Sequence, residues 1–199
     1  MNALVLVETR LTPVEDSLER HLRFLPGWAP VVVCSNENKH MITCDKVIVN
    51  RITPERYYHD YNVLFASVEF WDNFLKYERV IICHQDSGLL RLGIEEFIKW
   101  DYIGAPWKFQ QHGGNGGLSL RNPQIMREIC AKFRYSPHEY EDVFFSNRMN
   151  EHKIGLLAPR EVCKKFSCET IFELGTLGYH NIESYFPERA DEILNQYNC

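Results

Sequence analysis

Short apolar runs alternate with helix-like segments along the chain, and this alternation limits the fold more than any other feature. Continuous apolar residues at 3–7, 31–34 and 80–83 are each typical of a strand covered on both faces. Further strands are predicted at 46–49, 101–105, 118–120 and 156–158. Repeated strand–helix alternation predicts an α/β fold, with a mostly parallel central sheet and helices on both faces.

The segments between these strands carry apolar residues three or four positions apart, which is typical of helices. Thr12 and Glu15 predict a capping box for the first helix, with Pro13 at its first position. Further helices are predicted at 60–75, 94–98, 125–133 and 141–149. The 199 residues suit a single domain over 1–199. Residues 191–199 are typical of a helix that leads onward, so it stays open whether the chain is a fragment of a longer multidomain protein.

The composition disfavours several classes of protein. A net charge of −5 argues against a general nucleic-acid binder. No apolar stretch is long enough to span a membrane, and the first strand has no basic leader before it. The scattered cysteines indicate reduced thiols rather than a disulfide framework or a zinc site, and we expect a cytoplasmic location. They are Cys34, Cys44, Cys83, Cys130, Cys163, Cys168 and Cys199.

Polar residues follow three of the predicted strands, at 8–10, 35–36 and 84–87. In open α/β sheets ligands bind outside the carboxyl ends of the strands, so these residues are candidates for a site. Asp86 is the strongest of them, because a carboxylate on a rigid strand end suits a hard cation such as Mn²⁺ or Mg²⁺. The alternative is that Asp86 only caps the turn formed with Ser87 and Gly88.

Four further features are candidates, each with a structural alternative. Trp107 could form one wall of a sugar site, or simply plug the end of a strand. The glycine-rich segment 113–117 could approach a ligand closely, or be an ordinary loop. Glu141 and Asp142 could supply a general base, or be acids favoured at a helix start. His180 could bind a metal, or be a surface residue in a loop.

Taken in order, these segments resemble a family of glycosyltransferase-like domains from fungi, bacteria and large DNA viruses, of which the small chlorovirus-type domains are the most similar. The resemblance covers about residues 3–180. It is carried by residues 8–10, 61–62, 70–71, 85–87, 101–107, 115–121, 141–145 and 178–180. It implies a GT-A fold, a nucleotide-sugar donor with uridine diphosphate as the commonest carrier, a glycan or glycoprotein acceptor and, for a viral protein, the host cytoplasm.

The resemblance also implies roles for single residues. Asp86 would be the metal ligand at the DxD position, where His84 replaces the first acid, and His180 would complete the metal site. Asp142, beside Glu141, would be the catalytic base of an inverting transfer. The implied donor-binding residues are Glu8, Thr9, Arg10, Gln85, Ser87, Trp107, Asn115, Gly116 and Gly117.

Two other readings stay open. A GT-A-like domain that binds a nucleotide sugar without transferring it would also fit, because His84 replaces an acid. A dinucleotide-dependent oxidoreductase is disfavoured, since no glycine fingerprint follows the first strand.

Overall fold

The computed structural model of the protein describes residues 1–197, which form an α/β fold with a mixed six-stranded sheet flanked by helices. The strands are β1 (Asn2–Val7), β2 (Ala29–Ser35), β3 (Asp45–Val49), β4 (Arg79–Cys83), β5 (Ser87–Leu89), β6 (Tyr102–Ala105), β7 (Asn115–Arg121), β8 (Ser167–Cys168) and β9 (Gly178–His180). The helices are α1 (Glu15–Leu22), α2 (Tyr57–Phe65), α3 (Val68–Asp72), α4 (Pro123–Lys132), α5 (Glu141–His152), α6 (Arg160–Phe166), α7 (Ile182–Tyr185) and α8 (Ala190–Leu194).

The six-stranded sheet has the order β3-β2-β1-β4-β7-β6. The pairs β1–β2, β1–β4 and β2–β3 are parallel, whereas β7 is antiparallel to both β4 and β6. Because β7 runs in the opposite direction, its first residues lie beside the carboxyl end of β4. That arrangement places the glycines of β7 at the edge of the sheet where ligands bind in α/β folds.

Helices cover both faces of this sheet, as the alternation of side chains along β1 shows. Ala3 and Val5 pack into the layer formed with α2, α3, α4 and α5. Leu4 and Leu6 pack into the opposite layer, which contains residues of α1 and α6. Since every residue of a fully covered strand is buried, the strand is a continuous apolar run, and this is why the sequence pattern found it.

A second, three-stranded sheet with the order β5-β9-β8 was not predicted. Each of its strands has three residues or fewer, which is too short for a periodic pattern to stand out. Ser87, expected in a turn, begins β5, and His180, expected in a loop, ends β9. The sheet therefore gives two candidate residues a fixed backbone that sequence reasoning did not provide.

Several predicted elements were wrong in their limits. The helix expected at 60–75 is two helices, α2 and α3. The first ends at Phe65 with Ala66 as its C-cap, and the Ser67 hydroxyl accepts the amide of Phe70 as N-cap of the second. The first helix has no capping box from Thr12, and Val14 is its N-cap without a side-chain bond. Instead the Glu15 carboxylate accepts the amide of Val14 at 3.0 Å.

The remaining differences are smaller. Residues 94–98 contain only a 3₁₀ helix, Ile94–Glu96. Residues 156–158 form no strand within the described chain, only a single bridge between Leu157 and Tyr102. The strand expected at 118–120 extends back through the glycines to Asn115. The terminal helix expected at 191–199 is the short α8, and Cys199 lies outside the described residues.

A buried ion pair joins β7 to α5. The Arg121 guanidinium donates to both carboxylate oxygens of Glu141, at 2.6 and 2.8 Å, and neither side chain is more than 3% exposed. The rings of Phe65, Trp71, Tyr102 and Phe145 surround the guanidinium, with its carbon 5.0 to 5.9 Å from their centroids. Asn62 of α2 also contributes, because its side-chain oxygen accepts the amide of Glu141 at 2.7 Å.

Among residues 1–197, no helix has the length and apolar character needed to cross a membrane. Over the same residues the cysteines are all free thiols. Burial raises the pKa of the Cys130 and Cys163 thiols to about 12, so they are protonated at neutral pH.

The Arg121–Glu141 pair yields a prediction about stability. Arg121→Ala leaves a carboxylate buried without its counter-ion, so we expect the free energy of unfolding to fall by roughly 3–5 kcal/mol. The control is Arg127→Ala, which breaks an exposed ion pair with Asp72 and should cost about 1 kcal/mol or less. Urea unfolding of both variants measures the difference. An equal loss in the two variants would contradict a special role for the buried pair.

Candidate functional site

Three side chains that could hold a metal ion meet at the carboxyl end of β4. Each of His84, Asp86 and His180 offers a ligand atom, and these atoms lie within 4.8 Å of one another. His84 directly follows β4, and Asp86 lies in the turn before β5. His180 ends β9, and in the pairing of β5 with β9 it stands opposite Ser87. We call these three residues the His–Asp–His group.

Backbone pairing fixes Asp86 beside His180. The Asn181 amide donates to the Asp86 carbonyl at 3.0 Å, which extends the pairing of β5 and β9 by one residue. The Asp86 carboxylate then lies 3.3 Å from Nε2 of His180. Asp86 is 55% exposed at its side chain, whereas His180 is only 10% exposed. A ligand from solvent can therefore reach the carboxylate, while the imidazole is held by the protein.

Charge on both sides governs the protonation of His180. Burial lowers its pKa, but Asp86 on Nε2 and Glu169 on Nδ1 outweigh burial and raise the pKa to about 9. Burial raises the pKa of the Asp86 carboxyl, but the contact with His180 outweighs burial and keeps that pKa low. At neutral pH His180 is therefore protonated and stands between two carboxylates.

His84 is the neutral member of the group. Burial, followed by the nearby charge of His180, lowers the pKa of His84 to about 3. The Tyr61 hydroxyl lies 2.8 Å from Nε2, and the backbone amide of His84 donates to the Gly117 carbonyl at 3.0 Å. A neutral imidazole is the form that binds metals, so His84 is ready to act as a ligand.

The turn that carries Asp86 is clamped from helix α1. The Arg20 guanidinium donates to the carbonyls of Gln85 and Ser87, at 3.0 Å each. The Ser87 hydroxyl lies 3.1 Å from Nε2 of His21 and donates to the His84 carbonyl at 2.7 Å. These contacts give the turn one conformation. They also occupy the Ser87 hydroxyl, which was predicted to bind the nucleotide-sugar donor.

Two glycines of β7 allow the close packing of the site. A Cβ on Gly117 would lie 2.2 Å from Cε1 of His180, and a Cβ on Gly116 would lie 2.4 Å from Oε1 of Glu141. Real carbon atoms do not approach so closely, so both positions need glycine. Of the glycine-rich segment 113–117, residues 115–117 thus belong to a strand, and Gly116 and Gly117 face protein side chains. The Asn115 side-chain oxygen accepts the amide of Gly117 at 2.7 Å.

Asp142 is linked to the His–Asp–His group through these same glycines. Its Oδ2 accepts the amide of Gly116 at 3.0 Å, one residue from the glycine on which His180 packs. Burial, together with the charge of Glu141, raises the pKa of Asp142 to about 7. Both carboxylate oxygens of Glu141 accept hydrogen bonds from Arg121. Of the two acids, Asp142 is therefore the one with the properties of a base near neutral pH.

Comparison with known proteins places the chain in a family. Residues 48–181 match the family described as "Protein of unknown function (DUF5672)", which is more than half of the chain. The chain belongs to the DUF5672 family. No curated protein matches it. The matched range contains the His–Asp–His group, Asp142 and the β7 glycines, so these lie within the part of the chain that defines DUF5672 membership.

The residues predicted at the end of β1 precede the range matched by DUF5672. Arg10 donates to both oxygens of the Glu8 carboxylate, at 2.8 and 2.6 Å. The Thr9 hydroxyl accepts the amide of Ile52 at 3.1 Å, which ties β1 to the loop after β3. Asn38 accepts the Ser35 amide and donates to the carbonyls of residues 8 and 10. Only the Arg10 side chain, 56% exposed, remains open to solvent.

The side chains of Trp107 and Gln85, both predicted to bind a sugar donor, contact other parts of the protein. Trp107 is 5% exposed and stacks on Phe109 with ring centroids 5.3 Å apart, so its ring is covered by protein. The Gln85 side chain donates to the Pro13 carbonyl at 3.1 Å.

A groove of about 510 Å³ lies beyond the end of β3 and includes Ile52, Arg51 and Arg56 in its lining. The groove adjoins Thr9 but contains no member of the His–Asp–His group.

Sequence reasoning missed two parts of this site. His84 was treated as a lost acid rather than as a ligand, although a His-x-Asp spacing after a buried strand was visible. Glu169 was not considered, because it lies just after the two-residue strand β8 and far from Asp86 in the chain. No local pattern distinguishes Glu169 from other acids of the sequence.

The site predicts binding of a transition-metal ion. Two imidazoles and one carboxylate favour Mn²⁺ over Mg²⁺, which prefers oxygen ligands. We expect isothermal titration to detect Mn²⁺ binding that is tighter than Mg²⁺ binding and is lost in Asp86→Asn and His180→Ala. His40→Ala, which removes an exposed histidine outside the group, is the control. Tighter binding of Mg²⁺, or equal loss in the control, would contradict this assignment.

Proposed function

We propose that the protein is a metal-dependent glycosyltransferase of the GT-A type. It would move a hexose or deoxyhexose from a nucleotide-diphosphate sugar, with uridine as the expected base, to a hydroxyl of a glycan or glycoprotein. The observation that carries the proposal is the His–Asp–His group at a strand end, with Asp142 one glycine away. The resemblance to glycosyltransferase-like domains independently implies the same roles for Asp86, His180 and Asp142.

The His–Asp–His group fits a divalent cation. One imidazole is neutral, the carboxylate is exposed, and the second imidazole would release its proton to solvent on binding the ion. A cation at this place would neutralise the diphosphate of the donor and so make the nucleotide a better leaving group. Three protein ligands leave other coordination positions for phosphate oxygens.

Asp142 would act as the general base. A sugar hydroxyl must lose its proton as it attacks the anomeric carbon, and a carboxylate with a pKa of about 7 can accept it at neutral pH. In the proposed step the acceptor oxygen forms a bond to the anomeric carbon while the bond to the diphosphate breaks on the other face. The proton ends on Asp142, and the product has the inverted configuration.

The residues around the site are consistent with a donor and an acceptor. The groove beyond β3 lies at the same edge of the sheet as Asp86 and carries two arginines, so it is the place we assign to the nucleoside. Two exposed tyrosines, Tyr58 and Tyr140, lie at the starts of α2 and α5. Tyr140 immediately precedes the acidic pair and packs edge-to-face on Tyr58, with centroids 6.0 Å apart. Both rings offer an apolar face and a hydroxyl, which suits a sugar acceptor.

Two other functions have specific support. A binding module that holds a nucleotide sugar without transfer remains a candidate, because His84 replaces an acid. Two histidines and one carboxylate also form the ligand set of iron(II) oxygenases. The raised pKa of Asp142 favours transfer over both, since neither binding nor oxygen activation at the metal needs a base one glycine away.

Donor turnover tests the proposed function. We expect release of a nucleoside diphosphate from one member of a nucleotide-sugar panel in the presence of Mn²⁺, and none with Asp86→Asn. Release of the diphosphate by the wild-type chain would exclude the binding module. Turnover that requires Fe²⁺ and oxygen instead would support the oxygenase and overturn the proposal.

Asp142 predicts a particular dependence on pH. Because the deprotonated carboxylate is the active form, turnover should rise with pH through about 7 and then level off. Asp142→Asn should lower turnover by roughly 10²–10⁴-fold and remove the rising limb. The control is Asp45→Asn, which alters an exposed acid paired with Lys76 and should change neither the rate nor the profile. A rising limb that persists in Asp142→Asn would exclude Asp142 as the base.

The stereochemistry of the product gives a separate check. Proton abstraction by Asp142 and direct attack by the acceptor require inversion at the anomeric carbon. NMR of the anomeric proton in the first product should therefore show the configuration opposite to that of the donor. Retention would show that the transfer proceeds by a different route.

A further inference from the structure

Glu169 is a buried carboxylate that the proposed reaction does not use. It is 3% exposed, and its Oε2 has no hydrogen-bond partner among the described residues. Burial raises the pKa of the carboxyl, with opposing contributions from His180. A buried acid with an unpaired oxygen costs free energy, so its position needs a reason.

The three-stranded sheet explains how Glu169 reaches the site. Cys168 of β8 is in register with Tyr179 of β9, so the next residues in the parallel register are Glu169 and His180. On the other edge of β9, Ser87 of β5 is opposite His180. His180 at the end of the central strand thus lies between two acids, Asp86 just before β5 and Glu169 just after β8.

The two acids lie against different nitrogens of the same ring. Oδ1 of Asp86 is 3.3 Å from Nε2, and Oε1 of Glu169 is 3.4 Å from Nδ1. Asp86 is exposed and belongs to the His–Asp–His group, whereas Glu169 is covered and lies on the side away from it. An acid on the second nitrogen of a metal-binding histidine fixes which nitrogen carries the proton and which binds the metal.

We propose that Glu169 is a positioning residue that holds His180 by Nδ1 and so presents Nε2 to a divalent cation shared with His84 and Asp86. The inference rests on the metal site of the proposed function. Glu169 does not touch the cation in this account. Its Oε1 lies 3.4 Å from Nδ1 of His180, where it would accept a hydrogen bond from a protonated Nδ1 once the cation is bound, increase the basicity of the ring and hold the ring in one orientation.

Gly117 supports the same assignment from the face of the ring. Because a Cβ at this position would overlap the imidazole, the glycine lets His180 pack flat against β7. His180 is therefore held by backbone on its face and by carboxylates at both nitrogens. An imidazole confined in this way has one orientation, which is the property that a metal ligand needs.

The affinity for Mn²⁺ tests the proposal. We expect Glu169→Gln, which keeps the size of the side chain but removes its charge, to weaken Mn²⁺ binding by roughly 10–100-fold in isothermal titration. Glu173→Gln is the matched control, because Glu173 lies in the same segment and is 35% exposed near Lys164. It should bind Mn²⁺ as the wild type does. Glu169→Asp, which retains the charge at a shorter reach, should restore part of the affinity.

Spectroscopy of the wild type gives a measurement that no folding defect can disturb. With Zn²⁺ as a diamagnetic probe, ¹⁵N NMR should show His180 protonated at Nδ1 and bound through Nε2. A proton on Nε2, or Glu169→Gln binding Mn²⁺ within about twofold of the wild type, would overturn the role of Glu169 and leave the proposed function standing. If the wild type binds no Mn²⁺ at all, both the role and the metal-dependent function fail.

Discussion

A buried ion pair between Arg121 and Glu141 connects the two structural units on which the candidate site depends. Arg121 ends β7, whose first residues support His180, and Glu141 begins α5, whose second residue is Asp142. The desolvation of two charges is expensive, and the double hydrogen bond together with the surrounding rings offsets it. The pair fixes where the start of α5 meets the start of β7. It also positions Glu141, whose negative charge adds to the effect of burial in raising the pKa of the neighbouring Asp142.

The same pair explains why two adjacent acids have different properties. Glu141 is a carboxylate paired with a guanidinium at hydrogen-bond distance, so it contributes mainly to the structure. Asp142 receives only backbone amides, from Gly116 and Val143, and is exposed to the repulsion of its neighbour. The adjacent carboxylates of Glu141 and Asp142 thus have different properties because their environments differ.

Much of the large sheet could be predicted, since strands covered on both faces are unbroken apolar runs, as at Leu4 and Ile81. The position of Asp86 followed from the same pattern, because it lies in the turn that follows such a strand. The small sheet could not be predicted, since β8 has two residues and its pairing is between distant parts of the chain. For the same reason the contact between Glu169 and His180 was invisible, as was the bond of Arg121 to Glu141.

The central claim is that His84, Asp86 and His180 hold one cation that carries the donor diphosphate. Crystals grown with Mn²⁺ and a nucleoside diphosphate, measured at the manganese absorption edge, test it most directly. The account predicts one anomalous peak within bonding distance of all three side chains and of phosphate oxygens. A peak elsewhere in the molecule, or an Asp86 carboxylate turned away from the ion, would contradict it.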